Sequence, residues 1–578
     1  MGTMTRKLFI RETKRLKCHR NLSASCILKN NEEFVVKSTL PDIIVPQARF
    51  FDYVLKESAS FKNHIALESA ETKKTYTYAQ LEKNVTTFAT SLLKKLGLKP
   101  GDVVAVMLPN SPEFPVVAFG TIHAGCILTT VNPIYKEYEI THQINLTEPK
   151  VIVTLPECYD NVRKGMQNAK NNSKIVLIDD PSQPVPNGVI RYSEIAEKGE
   201  VDFALLDKIE KKDDDVACIP FSSGTTGFPK GVEITYKNLK ASSACMESKE
   251  VCYPHLTQGN IQDILPCFLP FFHIYGLVVT LIGHMAKGCK LITMSKFSAS
   301  MYLDILKNED CSLLYIVPPV GDGNRFPSSG PSACLLNSCN KKKLPRANNG
   351  EGISCRDQIC KSATLQESKD IEFNQGFGAT ETTSLTTSTF KGSKNVDYSA
   401  CGVPMAGFKL KFADPATGKF VPIGESGEMY IKSPTIMKGY HKNPTATAES
   451  LTEDGYFKSG DLGYYKPGVG LFITDRIKEL IKVKGMQVAP AELESILRSH
   501  PAVADAAVIG VPHEFYGEAP KAFIIRKKDV KTTEEELQNF VANKVSVYKK
   551  IEEVMFVDAI PKTASGKILR KDLKAMYA

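Results

Sequence analysis

The sequence predicts an α/β protein: a large first domain of parallel αβ sheets, a small β-barrel-like unit, and a small α+β domain at the end. Three observations carry this expectation. The 578 residues exceed one ordinary core, so two or more domains are expected. From about Ile43 to Val320, short apolar runs alternate with helical patterns, as in a parallel sheet covered on both faces. After Gly402 the texture changes to strands joined by Gly, Pro and Asp turns, and then to mixed helix and strand. The divisions read as a basic extension over 1–42, a large domain over 43–474 and a small domain over 475–578.

Each element has a local reason. "YTYAQLEKNVTTFATSLLKKLG" (76–97) spaces its apolar residues near 3.6 and stops at Gly97, which predicts a helix. "VVAVMLPN" (103–110) is a β-branched run closed by a Pro-Asn turn, and "VIVTL" (151–155) and "IVLID" (175–179) are similar strands. Residues 264–286 hold no Asp, Glu, Lys or Arg, a length that could span a bilayer. Pro266, Pro270, His273, Gly276 and His284 interrupt the run, so a buried strand, a turn and a buried helix are expected, with no transmembrane segment. Late in the chain, "APAELESILRSHP" reads as a helix, "VADAAVIGVP" as a strand, "TTEEELQNFVANKV" as a capped helix and "KILRKDLKAM" as a last helix.

The net charge of +9 is concentrated at one end. Eight basic residues stand among the first 31 against Glu12 alone, leaving the remainder near +2, which argues against a nucleic-acid surface. That basic, Ser-containing stretch resembles a mitochondrial transit peptide, and a solvated basic tail fits it equally. The C-terminal "KAMYA" is no Ser-Lys-Leu peroxisomal address. Fifteen scattered cysteines without a secretory signal point to reduced thiols in an intracellular setting.

The chemistry gathers in five short stretches. "FSSGTTGFPKGV" (221–232) places Ser222, Ser223, Gly224, Thr225, Thr226 and Gly227 before Lys230, a loop suited to wrapping its N–H groups and hydroxyls around an anion. It is not the G-x-x-x-x-G-K-[ST] nucleotide loop, because Lys230 follows Pro229 and precedes Gly231. "QGFGATETT" (375–383) sets Gly376 and Gly378 about Phe377, an aromatic face for a base, then presents Thr380 and Glu381, a hard oxygen ligand for Mg²⁺. "YFKSGDLGYY" (456–465) puts Asp461 in a turn, where a carboxylate can accept from ribose hydroxyls. Residues 473–494 bring Asp475, Arg476, Lys478, Lys482, Lys484 and Gln487 in quick succession, and "PKTASGKILRK" (561–571) ends with Lys567 after a Ser-Gly turn. Each alone would pass for a surface turn; five in this order would not.

This order resembles the adenylate-forming (AMP-binding) superfamily, most closely its 4-coumarate–CoA ligase and luciferase-like branch, over residues 45–319 and 373–578. The resemblance implies an ATP-dependent acid–thiol ligase that adenylates a fatty or aromatic carboxylic acid and passes the acyl group to coenzyme A. The loop from Ser222 to Lys230 would grip the β- and γ-phosphates, with Glu381 and Thr225 holding Mg²⁺. Phe377 with Gly376 and Gly378 would lie along adenine, Asp461 and Arg476 would hold the ribose, and Thr380 and Gln487 would also bind ATP. His273, in "FFHIYG", would line the acyl pocket and help position the carboxylate. Lys567 would bridge carboxylate and α-phosphate. The small domain would then rotate about 475–478 to bring in Lys482, Lys484 and Gly485 for coenzyme A. A luciferase-type monooxygenase would share the same adenylation residues.

Between "YIVPPV" (315–320) and "EFNQGFG" (372–378) the resemblance stops. The intervening segment is polar and lacks the apolar period of a buried element. Cys334-x4-Cys339 and Cys355-x4-Cys360 raise a four-thiolate zinc site, against which the four-residue gaps count. An inserted loop is a second reading. The length matches what the segment replaces, which favours a displaced reading frame: Gly-Asp-Gly-Asn-Arg-Phe, moved forward one base, can encode Val-Met-Ala-Ile-Ala. As written, the segment removes one wall of the acyl pocket, and a catalytically impaired nucleotide-binding homologue is the reading it supports.

Overall fold

The computed structural model describes residues 33–179, 183–222, 229–316, 332–338, 371–393, 396–397, 399–415, 417–476, 481–484, 486–488, 490–527, 530–561, 568 and 570–577. The basic extension and its transit-peptide reading therefore lie largely outside the described residues.

Helix α1 (Tyr78–Lys94) lies within the 76–97 stretch that the apolar spacing marks as helical. The Gln80 N–H donates to Thr77 Oγ1 and the Thr77 N–H donates to Gln80 Oε1, a reciprocal cap. Its buried stripe of Leu81, Val85, Phe88 and Leu92 faces α2 (Glu113–His123). Gly120 makes that approach possible, because a Cβ there would stand 2.8 Å from Phe88 Cδ1.

Five parallel strands follow: β1 (Val103–Met107), β2 (Ile127–Thr130), β3 (Val151–Thr154), β4 (Lys174–Leu177) and β5 (Val216–Ile219). β1 and β3 are buried throughout, so they read as continuous apolar runs rather than alternating ones. β6 (Lys230–Thr235) joins antiparallel to β5, and Phe221–Ser222 closes that edge. Helices α3 (Glu137–Thr147) and α4 (Tyr236–Met246) connect and cover these strands.

A second sheet orders Ile264–Cys267, Lys290–Thr293, Ile65–Ser69 and Thr75–Thr77, the first three parallel. The charge-free stretch thus resolves as expected into a strand, the turn before Tyr275–Ile282, and helix through Met285. Among the described residues, no helix is long and apolar enough to cross a membrane.

The divergent segment supplies one departure from expectation. Ser332–Ser338 forms a strand that pairs antiparallel with both Leu313–Ile316 and β7 (Ile371–Ala379). Its short run "ACLL" has enough β character to occupy a slot between two committed edges, although the surrounding sequence has no period. The zinc reading cannot be placed: Cys339, Cys355 and Cys360, and the Cys334 side chain, lie outside the described residues.

The expected β unit is an antiparallel sheet that includes β9 (Phe457–Lys466) and β10 (Gly470–Arg476), with Val36–Lys37 at its far edge. β8 (Gly439–Tyr440) instead pairs with β6 and ties this region to the first sheet.

Beyond residue 480 the chain builds its own core on β11 (Ile481–Val483), β12 (Met486–Val488), Val503–His513 and Gly517–Arg526, with Leu493, Ile496 and Leu497 of helix α5 (Pro490–Arg498) packed against them. Helix α6 (Glu534–Ala542) is capped by Thr533, whose hydroxyl accepts from the Glu536 N–H. Tyr138, at the start of α3, packs onto this second core, so α3 is the seat on which the small domain rests.

Candidate active site

Ser222 stands opposite Lys230 in an antiparallel pair, so the hydroxyl–glycine loop springs from a two-strand base. Ser223, Gly224, Thr225, Thr226 and Gly227 lie outside the described residues. At that base, Ser222 Oγ donates to Glu381 Oε1 at 2.7 Å, and the Tyr440 hydroxyl donates to the same oxygen at 3.0 Å. The Lys230 ammonium lies 4.7 Å from the centre of the Tyr440 ring. Burial, with the nearby Glu381 carboxylate, pushes the Tyr440 phenol well above its ordinary range, so it remains a donor. Glu381 is half-buried in the turn after β7. Two hydroxyls hold one of its oxygens, and the other takes no hydrogen bond among the described residues. That oxygen suits a hard divalent cation, and Lys230 beside it suits a phosphate.

Sequence reasoning found Ser222, Lys230 and Glu381, and the structure brings them together. It missed Tyr440. The residue reaches the site only because β8 pairs with β6, placing Tyr440 opposite Val232, and "KGYHKN" gives no local sign of that pairing.

Two expectations are corrected by strand geometry. Phe377 offers no open face for a base: its side chain is fully buried in the main core, because alternation along β7 turns it inward. Its neighbour Gly376 is needed for packing, since a Cβ there would meet the Thr387 carbonyl at 2.7 Å. A bulge between Phe377 and Gly378 and the turn at Thr380–Thr382 then aim Glu381 outward. Thr380 is buried, whereas Gly378 is half-buried. Asp461 does not sit in a turn. It lies within β9, 1% exposed and directly across from Arg476 at the end of β10, while Ser459 Oγ accepts its N–H. The turn signal came from Gly460, whose φ of +72° bends the strand without ending it.

A cavity of about 730 Å³, open mouth included, lies between α4, the helical stretch from Tyr275 to Met285 and β7. Tyr275, Val279, Ile282, His284, Tyr315, Asn374 and Leu385 are among the residues around it. His273, expected to line the acyl pocket, is not among the residues around this cavity. Its ring is exposed at the turn between strand and helix. The buried histidine of this wall is His284. Its Nδ1 faces the Val279 and Thr280 carbonyls, so Nε2 accepts from the Tyr315 hydroxyl at 2.8 Å. Burial pushes His284 down to about 4. Asn374 also borders the cavity, 1% exposed, and neither its amide oxygen nor its nitrogen is hydrogen-bonded among the described residues.

In the small domain, β11 and β12 form a hairpin with Lys482 opposite Gln487. The Lys482 N–H donates to Glu518 Oε2 at 2.8 Å. Lys484 turns the hairpin with φ of +51°, and its ammonium rests 4.3 Å from the Tyr516 ring centre. Gly485 and Lys567 lie outside the described residues, as do the side chains of Arg476 and Gln487.

A family model described as AMP-binding enzyme matches residues 55–441, and one described as AMP-binding enzyme C-terminal domain matches residues 492–567. The chain is 35% identical over 559 residues to 4-coumarate–CoA ligase 2 of Nicotiana tabacum, covering 94% of this chain and 98% of that one. It is 34% identical over 553 residues to 4-coumarate–CoA ligase 1 of Arabidopsis thaliana, covering 95% and 96%. Among solved structures it is similar to ATP-bound MatB from Rhodopseudomonas palustris, at 25% identity and a TM-score of 0.59 over 92% of this chain and 98% of that one. The amide bond synthetase McbA from Marinactinospora thermotolerans shares the fold, with a TM-score of 0.69 at 20% identity over 91% of this chain and 99% of that one.

Proposed function

Since this chain belongs to the AMP-binding enzyme family, we propose that it is an ATP-dependent acid–CoA ligase acting on a fatty or aromatic carboxylic acid. The observation that carries the reading is the Ser222–Glu381–Tyr440 cluster at the foot of the hydroxyl–glycine loop, with one carboxylate oxygen held and the other unbonded among the described residues. Ser222 to Lys230 would bind the terminal phosphates. Glu381 and Thr225 are the residues that would hold Mg²⁺, which supplies charge neutralisation when bound. Asp461 and Arg476, paired across β9 and β10, form the ribose end.

The reaction runs in two steps. A carboxylate oxygen attacks the α-phosphorus as the bond to the β-phosphate oxygen breaks, and pyrophosphate leaves. Nucleophile and target are both anionic, so Lys567 acts by bringing a cation between them. The coenzyme A sulfur then attacks the acyl carbon, the bond to AMP breaks, and the thiol proton passes to solvent. Lys482, Lys484 and Gly485 belong to this second step. The Asn374 amide, without a partner among the described residues, favours an acid with a hydrogen-bonding group away from its carboxylate, because a buried amide left unpaired costs about 1–3 kcal/mol.

Exchange of labelled pyrophosphate into ATP tests the reading, across a panel of fatty and aromatic acids with and without distal hydroxyls. Acid- and Mg²⁺-dependent exchange followed by a CoA thioester is expected. ATP uptake with no exchange for any acid would replace the ligase by a silent nucleotide-binding homologue.

A further inference from the structure

The small domain meets the large one through a buried cluster of charge. The Lys549 ammonium, its side chain 3% exposed, lies 3.0 Å from Glu139 Oε1 of α3 and 3.0 Å from Glu492 Oε1 of α5. Those two carboxylate side chains are 3% and 2% exposed. Ser546 Oγ donates to both Glu139 oxygens, at 3.0 and 2.8 Å, and Lys136 Nζ donates to the Ala542 carbonyl. Tyr135 lies 4.9 Å, ring centre to ammonium, from Lys549. Burial alone would lower the Lys549 pKa, but the facing Tyr135, Tyr548, Glu492 and Glu139 hold it well above the ordinary value. Burial pushes the Glu492 carboxyl up, with Lys549 opposing.

Two features make this a joint rather than glue. First, desolvating one ammonium and two carboxylates nearly cancels their attraction, so the cluster demands one geometry while adding little net affinity. A domain that must dock and release repeatedly needs that combination. Second, α3 touches the phosphate loop as well. His142, one turn on from Glu139 and Tyr138, places Nε2 3.2 Å from the Pro229 carbonyl, immediately before Lys230. On the other side, the Val547–Lys549 turn packs against β12, whose partner strand carries Lys482 and leads into Lys484 at the hairpin turn.

We propose that Lys549, Glu139 and Glu492 are positioning residues: a charge latch that fixes the small domain in the orientation seen here, with the Lys482–Gln487 hairpin seated beside α3. The latch serves the thiol-transfer step, the one that uses that hairpin, and leaves adenylation untouched. Only its kinetic consequence rests on the ligase reading. Its geometric consequence does not.

Glu139→Gln and the charge exchange Glu139→Lys with Lys549→Glu test it in the full chain. For Glu139→Gln, thiolation of a supplied acyl-adenylate should slow roughly tenfold or more, with pyrophosphate exchange unchanged. The exchanged pair should recover most of the loss, which a merely structural fault would not. Small-angle X-ray scattering should report a more extended particle for Glu139→Gln and a return toward wild type for the exchanged pair. Equal loss of both half-reactions, no recovery, or an unaltered scattering profile for Glu139→Gln would overturn the latch. Absence of all turnover in the wild type would overturn the ligase reading instead, leaving the scattering comparison to decide the latch.

Discussion

Two carboxylate clusters in this molecule are built from similar parts and do opposite things. Glu381 is half-buried, takes two hydroxyl donors on one oxygen and none on the other among the described residues. Glu139 is buried, and both of its oxygens are engaged by Ser546 while Lys549 neutralises it. Spare acceptor capacity marks a place for something that arrives. A saturated, desolvated carboxylate marks a place where two parts of the chain must meet in one way. Burial alone would have ranked the second cluster as the more interesting; counting unused lone pairs reverses that ranking.

Substitutions at the two clusters should diverge in what they damage. Lys549→Met leaves Glu139 and Glu492 facing each other without a cation, and should cost about 3–5 kcal/mol of domain docking or small-domain stability, read by urea titration. A loss under about 1 kcal/mol would mean that water already screens the joint. Glu381→Gln should leave the urea midpoint near wild type yet lower pyrophosphate exchange roughly 10²–10³-fold, the usual cost of one preorganised electrostatic contact. If stability falls and exchange persists, Glu381 belongs with the structural class.

A pH experiment sharpens the contrast through a group in neither cluster. His284 is held near pKa 4 against an ordinary 6.5, so between those values the unfolded chain binds the extra proton. Stability should therefore fall as pH drops from 6.5 toward 4, by up to about 3 kcal/mol from this residue. His284→Gln should flatten that slope in urea titrations at pH 7 and pH 5. Tyr440→Phe should remove one of the two donors to Glu381 and lower exchange about tenfold, matching a lost hydrogen bond of roughly 1.5 kcal/mol to a charged group. Smallest of all, Lys484→Ala should change stability by less than about 0.5 kcal/mol while slowing thiolation alone.

The parts of the fold with local causes were readable from sequence. The apolar runs of β1 and β3 and the helix ending before Gly97 each follow from a few adjacent residues. The hydroxyl–glycine loop and Glu381 were readable because their composition is unusual for any other purpose. Phe377 misled because flanking glycines suggest openness, whereas strand alternation decides which way a side chain faces. Asp461 misled because one left-handed glycine imitates a turn. Tyr440 and the latch were invisible for a different reason. β8 meets β6 and Lys549 meets Glu139 across roughly 200 and 400 residues, and a single chain carries no mark of such distant pairings.

The placement of Glu139 and His142 on α3 constrains how this protein can change. Three positions apart, they share a face, and one of them meets the small domain while the other meets the strand base below the hydroxyl–glycine loop. One inserted residue between them would swing the second through about 100° and point it elsewhere. Drift in this stretch is thus free to alter side chains but not spacing: the helix acts as a ruler, and its length at that point is the conserved quantity to expect across functional variants.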